Sequence, residues 1–325
     1  MNFHIVSPDA AGRIDPPVLR ILKHLPHGDG TRVTIVPVTR LENFKFSLQF
    51  GGPWVLWDHS EFGWDWDQAR GYNWGENRTE HPWFQTDDWK RMDDFVRRYP
   101  PICTFQRELL QSDRRPDRLP AEYLNYWPQV TPQSKEDFLA RPIDVCYQWG
   151  RSSESRVRLH ANIFRQSSYR GYPVVSEMDH IENELREGRR GLWCTMHTPH
   201  YARKDIRKVV EMFNQSKIVI SMAGCGQKTF RSGEVPDSII AFPSDNLAWS
   251  IPYENGKNCL RMSTGLGVNS ITHDKENVEV AELCDMLARN DLYDIYRGAV
   301  DMADRLRPER YMMEYVLPAI QRNLK

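Results

Sequence analysis

The sequence has few cysteines and lacks the motifs that define several large enzyme classes. The closest two of its six cysteines, Cys259 and Cys284, are 25 residues apart, so the C-x-x-C pair of a zinc ribbon is missing. The P-loop, the G-x-S-x-G elbow and the G-x-G-x-x-G fingerprint are also missing, which weakens kinase, hydrolase and dehydrogenase hypotheses. His197 and His200 have no second ligand cluster, and we expect no metal site.

Long hydrophobic runs and an excess of charge are missing as well. No apolar run approaches the roughly 20 residues that cross a bilayer, and residues 1–7 lack the basic and apolar regions of a signal peptide. The 43 basic and 44 acidic side chains give a net charge of −1, which argues against a protein that coats nucleic acid. We therefore expect a cytoplasmic protein with reduced cysteines and no membrane span.

What the chain does have is an alternation of short apolar runs with helical patterns, which is typical of parallel α/β sheets. Strands are predicted at 2–7, 33–38, 51–57 and 102–105, and again at 143–148, 172–177, 192–196 and 218–222. Between them, 111–140 is rich in proline and has the composition of a linker. We predict an α/β protein of two Rossmann-like domains facing each other across a cleft, 1–138 and 139–325, with C-terminal helices that can pack back on the first domain.

The segment 218–261 carries the strongest chemical pattern. A buried strand runs into a turn that contains Gly224 and Gly226, and a helix can begin at Thr229 as its N-cap. A glycine-rich turn brings backbone close to a ligand, and a helix N-terminus offers free N–H groups and positive potential. This arrangement suits a diphosphate.

Three charged side chains extend this pattern. Lys228 and Arg231 add positive charge for phosphate oxygens, and Glu234 can accept hydrogen bonds from ribose hydroxyls. The alternative is a surface strand–helix junction at which Arg231 and Glu234 merely pair with each other. Residues that follow two other predicted strands complete the candidate donor set: Gly150, Arg151, Arg156, His160, Tyr201 and Arg203.

Thr229-x-Arg231-x-x-Glu234, followed by Pro243, Asp245 and the run 249–253, resembles the nucleotide-sugar motif of exostosin-like glycosyltransferases and, more loosely, the GT-B superfamily. The resemblance implies that the C-terminal half binds a nucleotide diphosphate sugar and the N-terminal half binds the acceptor. Uracil is the expected base, because it is the commonest in that superfamily. The second acid of the E-x7-E motif is replaced by Phe242, so the stereochemistry stays open.

The candidate acceptor residues lie in the first half. Sugar transfer needs a base that takes the proton of the acceptor hydroxyl, and the candidates at one strand end are Asp58, His59 and Glu61, with Asp58 first. Aromatic rings can stack on sugar faces, and the acceptor contacts expected here are Trp57, Trp64, Trp66 and Arg107. Alternatively, the acids belong to an ordinary loop and most of the tryptophans form a small core beneath it.

The sequence thus favours a glycosyltransferase that moves a sugar from a nucleotide diphosphate sugar to a hydroxyl, with a glycan as first-choice acceptor. No cofactor or metal is required, because backbone N–H groups, Lys228 and Arg231 would stabilise the departing diphosphate. A phage-type enzyme that glycosylates hydroxymethylated pyrimidines in DNA is second, with a basic groove from Arg97, Arg98, Arg114, Arg115 and Arg118. A non-catalytic carbohydrate-binding protein is the alternative of another class.

Overall fold

The computed structural model describes residues 2–5, 32–38, 52–58, 94–107, 109, 111–150, 160–161, 171–176, 178–198, 206–221, 231–243, 247–263 and 278–325. The chain divides into two compact units. Unit 1 comprises Met1–Leu124, Asn246–Ile251 and Leu306–Lys325, and unit 2 comprises Asn125–Asp245 and Pro252–Arg305. Each unit is built on a parallel sheet, which confirms the predicted α/β class.

The sheet of unit 1 has its described strands in chain order, and every neighbouring pair is parallel. The third and fourth strands are buried at almost every position, as expected for a parallel sheet that is covered on both faces. Because the strands are parallel, their carboxyl ends meet at one edge. The strands are β1 (Asn2–Ile5), β2 (Arg32–Val38), β3 (Trp54–Asp58), β4 (Cys103–Gln106) and β5 (Arg118–Pro120).

The sheet of unit 2 has the order β11-β10-β9-β6-β8-β7, again with parallel pairs throughout the described strands. These strands are β6 (Ile143–Gly150), β7 (Val174–Val175), β8 (Leu192–Thr198), β9 (Ser216–Ile220), β10 (Ile239–Pro243) and β11 (Leu260–Met262). From β6 the chain goes to the edge strand β7, returns to β8 beside β6, and then crosses to the other side of β6 with β9. The strand order therefore reverses between β6 and β9, where open α/β sheets bind their ligands beyond the carboxyl ends.

The helices with defined bounds in unit 2 are Lys135–Leu139, Met178–Arg186, Ile206–Asn214, Arg231–Glu234, Val278–Leu287 and Leu292–Arg305. Unit 1 receives the last part of the chain as Pro308–Tyr311, a π-helical turn Met312–Val316 and Leu317–Asn323. This helical run begins at Pro308, which suits a first helical turn because proline lacks an N–H. Over the ranges given above, none of the helices combines the length and the apolar character that a membrane crossing needs.

A buried hydrogen-bond network lies at the amino edge of the second sheet, where β6, β9 and β10 begin. The Arg141 guanidinium donates to the Ser216 carbonyl at 2.8 Å and forms an ion pair with the Asp237 carboxylate at 3.0 Å. The Tyr296 hydroxyl donates to the same carboxylate at 2.6 Å, and its ring stacks on Phe138 with 4.2 Å between centroids. This network joins the starts of three strands to the helix Leu292–Arg305, and it lies at the edge opposite the strand ends that bind ligands in such sheets.

Candidate functional site

The carboxyl edge of the second sheet brings three of the predicted donor segments together. Gly150, the last residue of β6, pairs with Thr198, the last residue of β8. On the other side of β6, β9 ends at Ile220, and the Ser221 amide donates to the Ala241 carbonyl of β10 at 2.8 Å. The segments that follow β6, β8 and β9 therefore leave the sheet at adjacent positions around the switch point.

Four predicted donor residues fall within the described ranges: Gly150, His160, Arg231 and Glu234. The others lie outside them: Arg151, Arg156, Tyr201, Arg203, Gly224, Gly226, Lys228 and Thr229. Each of these eight follows β6, β8 or β9 in the sequence, with at most eight residues between it and the end of the strand.

His160 faces two strands of the second sheet. Its ring Nδ1 lies 3.1 Å from the Tyr147 hydroxyl on β6 and 2.9 Å from the Thr195 hydroxyl on β8. The rings of His160 and Tyr147 meet edge to face, with 5.9 Å between centroids. His160 was predicted to bind the donor substrate, and its Nδ1 is therefore occupied by contacts to the sheet.

Thr229, where the helix is expected to begin, lies outside the described residues, and the described part of that helix is short. It runs from Arg231 to Glu234, a single turn of 4 residues, with a half-buried glutamate at its end. A macrodipole is the sum of many aligned peptide dipoles, and one turn contributes little of it. Arg231, at the start of the described turn, is predicted to add side-chain charge for a diphosphate at this edge.

The second part of the predicted motif is divided between the two units, which corrects the sequence analysis. The run 249–253 was assigned to the donor half, but the structure places its first three residues in unit 1. There the Ser250 amide and hydroxyl both donate to one oxygen of the buried Glu122 carboxylate, at 2.7 and 2.9 Å. The Ala248 amide also donates to the Leu109 carbonyl at 2.8 Å. These contacts, distant in sequence, leave no signal in the sequence itself.

At the end of β10, sequence reasoning missed an arginine. The Arg261 guanidinium on β11 lies 3.8 Å from the centroid of the Phe242 ring, and Tyr253 packs edge-on against the same ring at 5.3 Å. Phe242 is the residue that replaces the second acid of the E-x7-E motif. The position thus holds a cation stacked on an aromatic ring in place of a carboxylate.

Asp58 ends β3 at the carboxyl edge of the first sheet, as the sequence predicts, but its side chain has no exposed surface. A base must be within reach of the acceptor hydroxyl whose proton it takes. The burial therefore weighs against Asp58 in this role. Its carbonyl accepts a hydrogen bond from the Arg107 amide at 3.0 Å, which links the ends of β3 and β4.

Two predicted acceptor contacts are also enclosed by unit 1. The Trp57 side chain is fully buried and stacks on Phe105 of β4 with 4.7 Å between centroids. The Arg107 guanidinium is 4% exposed; it donates to the Tyr123 hydroxyl and lies 5.2 Å from the centroid of that ring. Trp57 is therefore a core residue, and Arg107 supports the strand ends from within. Four predicted catalytic and acceptor residues lie outside the described ranges: His59, Glu61, Trp64 and Trp66.

The described cysteines are free thiols: Cys103, Cys146, Cys194, Cys259 and Cys284. Burial raises the pKa of Cys103 and that of Cys194 to about 12. Because the thiolate is the nucleophile, neither thiol can serve as one near neutral pH. Within the described part of the chain, no three histidine, cysteine, aspartate or glutamate side chains cluster as metal ligands would.

No protein-family model matches the chain, and no curated protein matches its sequence. Among solved structures, it is similar to an alpha-glucosyltransferase in complex with UDP-glucose and DNA containing an abasic site: 8% identity, 90% of this chain and 80% of that chain, TM-score 0.44. It is also similar to the glycotransferase of kitacinnamycin, with 9% identity, 90% and 76% coverage and a TM-score of 0.41.

A third similar structure is an alpha,alpha-trehalose-phosphate synthase (UDP-forming) from Burkholderia vietnamiensis, with 12% identity, 90% and 73% coverage and a TM-score of 0.42. At these identities and TM-scores, the similarities do not assign an activity to this chain.

Proposed function

We propose that this protein is a glycosyltransferase that transfers a sugar from a nucleotide diphosphate sugar, with a UDP-sugar as the first choice, to a hydroxyl acceptor. One observation carries the proposal. The strand order of unit 2 reverses between β6 and β9, and the glycine- and lysine-containing segment 222–230 leaves the sheet from the end of β9. Open α/β sheets bind nucleotides at this position.

The chemistry proposed for unit 2 is electrostatic. As the bond between the sugar and the diphosphate breaks, negative charge develops on the leaving group. Backbone N–H groups of 222–230 together with Lys228 and Arg231 would stabilise that charge, which removes the need for a metal. Arg151, Arg156, Tyr201 and Arg203 follow the neighbouring strands β6 and β8 and are proposed as further contacts to the phosphates or the base.

The acceptor is proposed to bind at the carboxyl edge of unit 1. The proton of its hydroxyl would pass to His59 or Glu61, which follow the end of β3, while the buried Asp58 and Arg107 support that edge. Trp64 and Trp66 are proposed to stack on the acceptor sugar. The free thiols agree with action in the reducing cytoplasm.

A glycan is preferred over modified DNA because of where the arginines lie. Arg97 and Arg98 precede β4, and Arg114 and Arg115 precede β5. These four therefore lie toward the amino edge of the sheet, whereas Asp58 lies at its carboxyl edge. Arg118 is the first residue of β5. A duplex bound over the carboxyl edge would not meet these four arginines, whereas the Arg118 guanidinium lies 3.4 Å from the side-chain oxygen of Gln106 at the end of β4. A gel shift on hydroxymethylated and plain duplexes checks this, and we expect binding to neither.

The proposed function is tested by a thermal-shift screen against nucleotides and nucleotide sugars. A ligand at one hundred times its dissociation constant stabilises a protein by about 2.7 kcal/mol, so UDP is expected to raise the melting temperature by roughly 4 °C. A non-catalytic carbohydrate-binding protein would respond to free sugars and not to nucleotides. If no nucleoside diphosphate stabilises the protein, the proposal is wrong.

A further inference from the structure

A polar cluster inside unit 2 connects the chain after β6 back to the middle of the sheet. Tyr147 and Thr195 are paired residues of β6 and β8, so their side chains point to the same face. Both side chains are buried, at 2% and 0% exposure. His160 places one ring nitrogen within hydrogen-bond distance of both hydroxyls.

The chemistry of the cluster favours one arrangement of protons. Burial is the main cause that raises the pKa of Tyr147 well above its ordinary value, and a hydrogen bond from Thr195 opposes the rise. The phenol therefore keeps its proton near neutral pH. A buried hydroxyl needs an acceptor for that proton, and Nδ1 of His160 provides it. Donation into Nδ1 leaves the ring proton on Nε2.

The cluster also lies where it can hold one end of the segment that connects β6 to His160. Tyr147 lies three residues before Gly150, where β6 ends, a distance of roughly 10 Å along the strand. His160 comes ten residues after Gly150 and returns to the level of Tyr147. The connection is therefore fixed at its start by β6 and at its end by the hydrogen bonds of His160. A connection held at both ends has fewer conformations to lose when a ligand binds.

We propose that Tyr147 and Thr195 make His160 a positioning residue, which acts through its Nδ1 on the sheet and not by touching the nucleotide. This inference rests on the proposed function and changes the role given to His160 in it. His160 then contributes to nucleotide affinity only by fixing the chain that leaves the carboxyl edge at Gly150.

Two substitutions separate positioning from direct contact. Asparagine places a polar atom near the position of Nδ1, and glutamine places one near that of Nε2. His160→Asn is expected to keep the affinity for UDP within about twofold of the wild-type value. His160→Gln and Tyr147→Phe are each expected to lower it by roughly 2- to 12-fold, the range for one hydrogen bond. Calorimetry with UDP, carried out well below the melting temperature, measures the affinity of each variant. A contact that only stabilises the fold would leave this affinity unchanged.

The double variant Tyr147→Phe/His160→Gln adds an internal control. Both substitutions remove the contact between Tyr147 and His160, and His160→Gln also removes the contact between Nδ1 and Thr195. The double variant should therefore bind UDP about as well as His160→Gln alone. Additive effects would contradict the proposed connection. If His160→Gln binds UDP normally and His160→Asn does not, His160 contacts the nucleotide through Nε2 and the proposal is overturned.

Backbone hydrogen exchange without any nucleotide tests whether His160 fixes the segment after β6, independently of the proposed function. Peptides that cover 151–161 should exchange faster in His160→Gln than in the wild type, with His160→Asn close to the wild type. Equal exchange in all three proteins would overturn the inference. If the wild type does not bind UDP while the exchange pattern is as expected, the proposed function is wrong, but the positioning role of His160 is supported.

Discussion

Replacing Arg141 with Ala is expected to lower the free energy of unfolding by about 3–5 kcal/mol, the range for a buried ion pair that loses one partner. The Arg141 side chain is 3% exposed, and its guanidinium satisfies the Asp237 carboxylate and the Ser216 carbonyl. It also lies 5.1 Å from the Phe138 ring centroid and 4.9 Å from that of Tyr296. Without it, a buried carboxylate and a buried carbonyl lose a charged donor, and a cavity opens beside the stacked rings of Phe138 and Tyr296.

Urea unfolding measures this loss, and the ion pair between Lys208 and Glu182 provides the control. That pair has a comparable distance, 2.8 Å, but its side chains are 52% and 40% exposed. Exposed pairs contribute about 0.2–1 kcal/mol, so Lys208→Ala should change the stability little. Equal, small effects of the two substitutions would mean that the amino-edge network does not hold unit 2 together.

Replacing Arg231 with Ala is expected to weaken UDP binding by about 10- to 150-fold, which corresponds to the 1.5–3 kcal/mol of a hydrogen bond to a charged group. Arg231 begins the one-turn helix that follows the glycine-rich segment after β9. An arginine can bind phosphate oxygens bidentately, so its loss removes charge-assisted hydrogen bonds to the diphosphate. The melting temperature without ligand should change little.

Arg297→Ala is the matched control for Arg231→Ala. Arg297 is an exposed residue of the helix Leu292–Arg305, so the variant removes the same charge from the same unit at another place. Calorimetry with UDP should find wild-type affinity in this variant. Full affinity in Arg231→Ala would show that the diphosphate binds elsewhere, whereas equal losses in both variants would indicate a general effect of net charge.

The sequence predicts the long buried strands because their apolar runs are continuous. Strands β2, β6 and β8 lie within a few residues of their predicted positions. Strands β5 and β11 were missed, since three residues are too few to show a period. Strand β10 was missed because its apolar run was interpreted only as part of a ligand motif.

Contacts between distant parts of the chain account for the other features that the sequence did not predict. Ser250 reaches Glu122 across 128 positions, which draws 246–251 into unit 1 although its neighbours on both sides belong to unit 2. The strand that carries Trp57 is buried on both faces, so alternation could not reveal whether the ring faces the core or a ligand. The sequence also indicated that His160 lies near the site, but not that its Nδ1 lies within hydrogen-bond distance of the Tyr147 and Thr195 hydroxyls.

The central claim is that a nucleoside diphosphate binds at the carboxyl edge of unit 2, around the reversal of strand order between β6 and β9. Backbone hydrogen exchange with and without saturating UDP tests it most directly. We predict slower exchange in the segments that follow β6, β8 and β9, namely 151–161, 199–205 and 221–230, and no change at the amino edge around Arg141 and Asp237. Protection confined to unit 1, or no protection in these three segments under conditions where UDP is bound, would contradict the claim.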